Sequence, residues 1–315
     1  MNPARFDLVS LALFVNIARE GSISGGARRS HLAVGAASRR ITDLEAALGT
    51  PLLYRLSSGV ELTEAGQACL AHAQRVLHEV GQMAGSLSDF AHGLRGQVRI
   101  AANTSSLTQF LPEDLALFMK QQPGVRIDLE EQNSSDIVQL LRDNRADLGI
   151  FADRTPCIGL QTVPYRRDEL VLVSPPGHPL AGHRAVRFTD TLGFDYVGLP
   201  PTTSLAMRLQ EESARLEQTL RLRIQVRSFD AICRMVATTR MIGILPRRAA
   251  APHARSMKLK LIGLTDEWAH RWLLLGVRDS DALTPATHLL LAHLKQLAQE
   301  ANPSLATATD QSFRI

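Results

Sequence analysis

Five arginines, Arg28, Arg29, Arg39, Arg40 and Arg55, crowd into a short N-terminal stretch that contains no lysine. Guanidinium groups fork onto guanine or meet phosphate, which is the chemistry of nucleic-acid binding, and the same arrangement also suits a solvated helix face. A second set is hydroxylic: Thr104, Ser105 and Ser106, then Asn133, Ser134 and Ser135, then the run Pro200, Pro201, Thr202, Thr203 and Ser204. Each group falls where a strand gives way to a helix, so it can cap the helix or present N–H groups and hydroxyls to a ligand. For any single residue, capping accounts for the hydroxyl as well as ligand contact does. The convergence of three such segments is what points to a ligand.

Catalytic patterns are missing. The chain has no G-x-S-x-G elbow, phosphate-binding P-loop, G-x-G-x-x-G or His-Glu-x-x-His,. His178 and His183 lie in a Pro/Gly-rich stretch without a carboxylate at metal-ligand spacing, and the pattern predicts exposed loop histidines. Cys69, Cys157 and Cys233 are far apart and odd in number, which fits a reduced compartment and no zinc site,. No catalytic residue, metal or cofactor is therefore expected, and the protein is not expected to be an enzyme.

The elements that must position these side chains follow from period and punctuation. Leu8, Leu11, Val15 and Ala18 recur at helical spacing up to Gly21, and a short helix is predicted from about Ser24 to Ser30, with Ser22 or Ser24 as its cap,. Val34, Ala37, Ile41, Leu44 and Leu48 form a further stripe that ends at Gly49, so two helices lie about three residues apart, as in a helix-turn-helix,. The segment from Leu52 to Thr63 has apolar ends around Ser57, Ser58 and Gly59, which suits a two-stranded wing,. From Thr63 a long helix carries Cys69, Ala73, Val76, Val80, Met83, Leu87 and Phe90, with Leu70, Leu77, Ala84 and Ala91 alongside. That heptad stripe wants a partner helix,.

Gly93 and Gly96 mark a joint, after which strands and helices alternate and imply parallel βαβ units,. Strands are expected at Val98 to Ala102, Val125 to Leu129, Leu148 to Phe151, Leu170 to Ser174, Tyr196 to Gly198, Leu222 to Val226, Ile242 to Leu245 and Trp272 to Val277. Helices are expected at Gln109 to Gln122, Ser135 to Asp143, Ser204 to Leu216, Asp230 to Ala237 and Pro285 to Gln299. The predicted organisation is a winged helix-turn-helix over 1–62, a dimerising linker helix over 63–93, and a two-lobed α/β domain over 97–300. One lobe takes about 97–165 and 270–300, the other about 166–269, and 301–315 form a tail. The length of 315 residues, 45% hydrophobic and 21% charged, suits such a multidomain chain, and its net charge of +4 permits nucleic acid without demanding it,. No apolar run is long enough for a membrane span, and the segment from Leu8 to Ala18 lacks the marks of an export signal, so a cytoplasmic protein is expected,.

The stretch FVNIAREGSISGGARRSHLAVGAASRRITDLEAALGTPLLYRLSSGVELTEAG resembles the helix-turn-helix of LysR-type transcriptional regulators: the EGS turn, the small residues of the second helix, Ser-Arg in the third and LT..G at the linker. QFLPEDLALF, RADLGIF, DELVLV with GHPLA after it, and GILP are similar to the family's effector domain, which is like a type 2 periplasmic binding protein. The resemblance implies a regulator that binds an imperfect inverted repeat in double-stranded promoter DNA as a homodimer or homotetramer. RNA polymerase would be a partner, no membrane would be involved, and a small-molecule effector, anions among the candidates, would sit between the lobes. It favours Ser38 and Arg39 as base contacts, with Thr42 on the same outward face; Arg28, Arg29, Arg40 and Arg55 would meet phosphate, and Ser58 would lie at the wing tip. It maps the effector site onto Ser105, Ser134, Leu199, Pro200 and Thr203, with Thr104, Ser106 and Thr202 beside them and Phe151 and Phe229 as apolar walls. The other reading is a solute-binding receptor without sequence-specific DNA binding.

The departures are specific. Ala33, Val34 and Gly35 stand where many relatives have Ser-Gln-Pro; Val34 can touch a thymine methyl, but its spacing places it in the core stripe,. Gly25 and Gly26 each cost about 1 kcal/mol in a helix relative to alanine, while permitting close packing,. Ser30 replaces a common leucine, and Thr239-Arg240-Met241 replaces the usual Gly-x-Gly.

Overall fold

The computed structural model describes residues 7–56, 58–91 and 96–302. The chain falls into two compact units that part between His92 and Gly93. In the first unit α1 (Leu8–Glu20), α2 (Ile23–Arg29) and α3 (Val34–Leu48) lead into the hairpin β1 (Leu53–Leu56) and β2 (Gly59–Leu62), then into α4 (Glu64–Ala91). The Asp7 carboxylate accepts from the Ser10 N–H and caps α1, and Gly21, at φ 65, ends it,. Ser22, not Ser24, caps α2: its hydroxyl accepts from the Gly25 N–H at 3.1 Å, so the helix starts a residue earlier than expected and ends at Arg29.

Two expectations about buried faces are corrected here. In α1 the core face is Leu13, Phe14 and Ile17, whereas Leu8 is exposed. Apolar residues nearly encircle this helix, so spacings of three and four fit more than one face, and the face with Phe14 and Ile17 is the one that packs. In α3 Ala37, Ile41 and Leu44 are buried as the period requires, but Val34 is 50% exposed. It shares their angular sector but sits in the first turn, and the core takes no residue of this helix before Ala37.

The hairpin is fastened to the end of α1 beside its turn. The Val60 N–H donates to the Gly21 carbonyl at 2.9 Å. A Cβ on Gly59, at φ 145, would fall 2.4 Å from that carbonyl oxygen, so only glycine allows this approach,. Ser57 of the expected wing tip lies outside the described residues. The first turns of α4 add Ala65, Cys69 and Leu70 to the core, and Ala73 is buried. Farther along, Val76 and Met83 are exposed, so these two positions of the stripe are uncovered within one chain. The side chains of Ala84, Leu87, Phe90 and Ala91, the joint at Gly93 and the tail from residue 303 lie outside the described residues.

The second unit runs β3 (Gly96–Ala102), α5 (Thr104–Gln109), α6 (Leu111–Gln121), β4 (Val125–Glu131), α7 (Ser134–Arg142), β5 (Leu148–Ala152), β6 (Gln161–Ser174), β7 (Ala185–Val186), β8 (Asp195–Gly198), α8 (Ser204–Arg215), β9 (Arg221–Gln225), α9 (Phe229–Thr238), β10 (Gly243–Pro246), α10 (Arg247–Met257), β11 (Lys260–Leu264), β12 (His270–Val277) and α11 (Pro285–Ala301). The main sheet has the order β4-β3-β5-β12-β6-β11-β7, with β10 also on β6. Parallel pairing, expected of the βαβ units, holds for β4, β3 and β5, for β8 with β9 and for β11 with β7, but β12 runs antiparallel to β5 and β6, and β10 and β11 run antiparallel to β6.

Strand β6 is much longer than the predicted Leu170 to Ser174, because its first half, QTVPYRRDE, is too polar to show a strand period,. That half pairs with β12, and its second half pairs with β10 and β11. It thereby threads two cores. Ile100, Leu115, Phe118, Leu148, Leu273 and Leu290 belong to one, and Val98 to Ala102 alternate faces so that Ala101 joins Ile137, Leu141 and Phe151 on the other side of that sheet. Leu170 to Val173, Val197, Phe229, Ile232, Ile244 and Ile262 form the second. The helix expected over Gln109 to Gln122 is α6, which starts two residues later, and α5 ahead of it was not expected; the two are separated at Phe110, φ −139. Helix α10 and strands β7 and β11 were not expected; Pro252 inside α10 hides the first,.

Candidate DNA-reading helix and effector cleft

On α3, the outward face carries Val34, Ser38, Thr42 and Arg39. Arg39 and Thr42 are exposed and Ser38 half-buried. Arg55, from β1, reaches over this face: its Nη2 donates to the Thr42 hydroxyl at 3.2 Å and its Nη1 to the Ser38 hydroxyl at 3.5 Å. Arg40 points the other way, to Asp7 at 3.3 Å, and to the Ser10 hydroxyl, so it ties α3 to the cap of α1. Arg29 pairs with Glu20 at 2.9 Å on the surface. Arg28 and Arg39 make no ion pair among the described residues, and Ser58 is exposed in the turn of the hairpin. Free guanidinium groups are thus available at Arg28 and Arg39, while Arg40 and Arg55 already hold elements together.

In the second unit the hydroxyl groups gather between the two cores. Thr104, Glu131, Gln132, Asn133, Pro200, Thr202, Thr203 and Arg227 line a cavity of about 380 Å³. Asn103, Ser105, Ser134, Leu199, Thr203 and Ser204 line a small hollow beside it. A larger cavity, about 690 Å³, is walled by Ser135, Asp153, Arg154, Arg208, Glu212, Trp268 and Arg271. Buried Glu212 accepts from Arg208 at 2.9 Å and Arg215 at 3.0 Å, and Arg154 approaches it at 3.9 Å from the β5 side of the cleft. The Arg208 Nε and Nη1 atoms are buried with no hydrogen-bond partner among the described residues, and the guanidinium lies over the Trp268 ring. The cleft thus carries cationic groups as well as hydroxyls.

The local sequence explains why these loops hold their shape. Asn103 accepts from the Ser106 N–H at 2.9 Å, so α5 begins at Thr104 and the predicted loop residues Thr104, Ser105 and Ser106 are its first turn,. The Asn103 amide donates to the Ser134 hydroxyl at 3.4 Å, which accepts in turn from the Ala152 N–H at 3.2 Å. Thr203 caps α8 by accepting from the Ala206 N–H at 3.3 Å. Thr104 donates to Glu131 at 2.6 Å at the cavity rim. Ser105 accepts from Arg271 at 2.9 Å, and Arg271 donates to Asp168 at 2.9 Å.

Three predicted site residues are corrected. Ser106 is fully buried and its hydroxyl donates to the Asn103 carbonyl, so it serves the turn. Phe151 is fully buried in the core on the α7 side of the sheet, close enough to β12 that a Cβ on Gly276 would meet its ring at 2.7 Å. Phe229 is 3% exposed and packs in the second core. Phe151 lies in β5, fully buried on both faces, and Phe229 opens α9 on the helix face that also buries Ile232, Cys233 and Val236, so both aromatics belong to cores and not to the cleft. His178, expected in an exposed loop, is buried: its Nδ1 accepts from the Leu180 N–H and its ring meets Phe194 edge-on at 4.4 Å. The residues that sequence reasoning missed are Asn103, Arg208, Arg227, Trp268 and Arg271. Only Asn103 had a visible signal, an N-cap residue just after a strand.

Residues 91–299 match the LysR substrate binding domain, and residues 8–67 match the bacterial regulatory helix-turn-helix protein model of the lysR family. The chain belongs to the LysR family. It is a transcriptional regulator with a helix-turn-helix DNA-binding domain and an effector-binding domain. Relatives of this LysR-family regulator include the RuBisCO operon transcriptional regulator of Allochromatium vinosum, 27% identical over 71% of this chain and 74% of that protein. Another is the uncharacterized HTH-type transcriptional regulator YbhD of Escherichia coli K12, 24% identical over 96% and 95%. Among solved structures, the LysR-family regulator CbnR matches at a TM-score of 0.67 and 20% identity, covering 93% of this chain and 99% of that one. At that identity the likeness is one of fold. The winged domain sets the chain apart from a solute receptor without DNA reading.

Proposed function

We propose that this regulator binds an imperfect inverted repeat in promoter DNA as a homodimer or homotetramer, and that a small molecule held between the two cores of its effector domain alters that binding. The observation that carries the reading is the outward face of α3, where Arg39 stands exposed and without an ion pair among the described residues, next to Ser38 in the chain and about one turn before Thr42. Such a helix lies in the major groove with its N-terminal residues at the base edges. Arg28 and Arg29 suit phosphate, Arg55 and Ser58 flank the same surface, and Arg40, which ties α3 to the cap of α1, would meet phosphate only by leaving Asp7. CbnR has been seen full-length on its target DNA, which supports the assignment. The exposed Val76 and Met83 of α4 support pairing of two chains, and two half-sites are what one small domain needs for selectivity,.

For the effector, Thr104, Ser105, Ser134, Leu199, Pro200, Thr202 and Thr203 form the site, and exposed Arg227 at its rim favours an anion. Binding there closes the cleft and shifts the geometry of the assembly on DNA. The protein acts by binding and not by catalysis, in the cytoplasm, with RNA polymerase as its further partner. Among the described residues no helix is long and apolar enough to cross a membrane.

The test is selection of bound genomic fragments by the full-length protein at two salt concentrations, repeated with Arg39→Ala. A short inverted repeat should emerge, and the variant should bind it more weakly by about 1–3 kcal/mol with relaxed specificity at one position. Binding that is salt-sensitive but blind to sequence would overturn the reading.

A further inference from the structure

We propose that this regulator reads part of its half-site through Val34, which covers the 5-methyl group of a thymine in the major groove, so that a thymine is required there. The proposal rests on the DNA-binding reading above. It starts from the exposure of Val34. A valine half-exposed on a small domain is unremarkable alone, but this one occupies the first position of the recognition helix, where base edges are met,. Its neighbours offer no competing polar readout. Ala33, which caps the helix without a side-chain hydrogen bond, carries only a methyl group, and Gly35 carries no side chain.

The nearest polar groups along the same face are already engaged. Ser38, one turn on, receives Arg55 Nη1, and Thr42, a further turn on, receives Arg55 Nη2 and itself donates to the Ser38 carbonyl at 3.1 Å. The face is therefore apolar at its leading end and has its hydroxyls engaged by an arginine behind. A Cβ on Gly35 would meet nothing within 4 Å, so the backbone beside Val34 is open and the duplex can approach closely. Of the four bases, only thymine places an apolar group in the major groove. An isopropyl group facing cytosine or adenine would instead desolvate an amino group without replacing its hydrogen bond, which makes the preference one-sided.

The experiment replaces each thymine of the selected half-site, one at a time, by deoxyuridine, which lacks only the methyl group. Affinity is then measured for the full-length protein and for Val34→Ala. Removal of one buried methyl should weaken the unmodified protein by about four-fold per half-site at a single position. Val34→Ala should bind the thymine site more weakly and lose most of the distinction between thymine and uracil at that position alone. Because Val34 is exposed and alanine is a better helix former, the variant should fold and keep its affinity for non-specific DNA,. Specific binding in which no position separates the two proteins in their response to uracil would overturn the proposal and leave the regulator reading standing. Absence of any sequence-specific binding would overturn both.

Discussion

At the scale of single residues, the sequence shows donor and acceptor types but not how they are shared. Ser105, Ser134 and Thr203 carry the hydroxyls expected of an effector site, and each is also a structural partner, of Arg271, of Asn103 and Ala152, and of the first turn of α8. His178 shows how far burial changes a reading. Burial holds its imidazole below the ordinary histidine range. With Nδ1 accepting from the Leu180 N–H, the proton of the neutral ring sits on Nε2, which is buried with no hydrogen-bond partner among the described residues,. Above about pH 6.5 the ring is neutral in folded and unfolded chains alike; below it, only the unfolded chain takes up the proton freely. Stability should therefore fall as pH drops from about 7 to 5. His178→Asn, whose amide oxygen can accept from Leu180, should show a shallower fall in thermal unfolding across that range, and an unchanged slope would assign the effect to other histidines.

At the scale of elements, glycines separate architecture from readout. A Cβ on Gly26 would come within 2.7 Å of the Ile17 backbone, because α2 packs directly on α1 there. Gly26→Ala should therefore destabilise the DNA-binding unit by about 1–3 kcal/mol, although alanine is the better helix former. Gly35→Ala meets open space and should stabilise the helix by up to about 1 kcal/mol while weakening DNA binding, because the added methyl stands at the surface that meets the groove,. Urea unfolding and DNA affinity measured on both variants check the pair, and equal signs in stability would refute it. The same elements show what was legible. Helices of the first unit, the wing and the helices α6, α7, α8, α9 and α11 follow from period and capping residues. The first half of β6, the break at Phe110 and helix α10 do not, because their form is set by pairing with β12, by a non-helical φ and by tertiary packing around Pro252. The lining loops of the cleft were placed by their cap residues, whereas Arg208, Trp268 and Arg271 reach it from elements whose faces the sequence leaves undecided.

At the scale of the effector domain, two strands carry the chain between the cores: β6 going out and β12 coming back. Both are pinned where they cross. Arg271 of β12 and Asp168 of β6 form an ion pair at 2.7 Å whose side chains are 7% and 0% exposed. Gln109 donates to Asp168 at 3.2 Å, and Arg271 donates to Ser105 at the edge of the effector site. The network thus joins the crossing strands to the first turn of α5, and any movement of one core against the other must either carry it along or break it. A buried pair contributes little net stability over apolar side chains of similar size, but removing one member leaves the other charged and unpaired. Arg271→Met should therefore cost about 3–5 kcal/mol, Asp168→Leu a comparable amount, and the double variant much less than the sum. Thermal unfolding of the three full-length variants supplies the cycle. If the double variant recovers stability while its specific DNA binding no longer responds to an effector that acts on the unmodified protein, the pair serves the coupling between cleft and DNA more than the fold. Additive losses would mean that the two residues act separately and that the crossing is held by backbone pairing of β6 with β12.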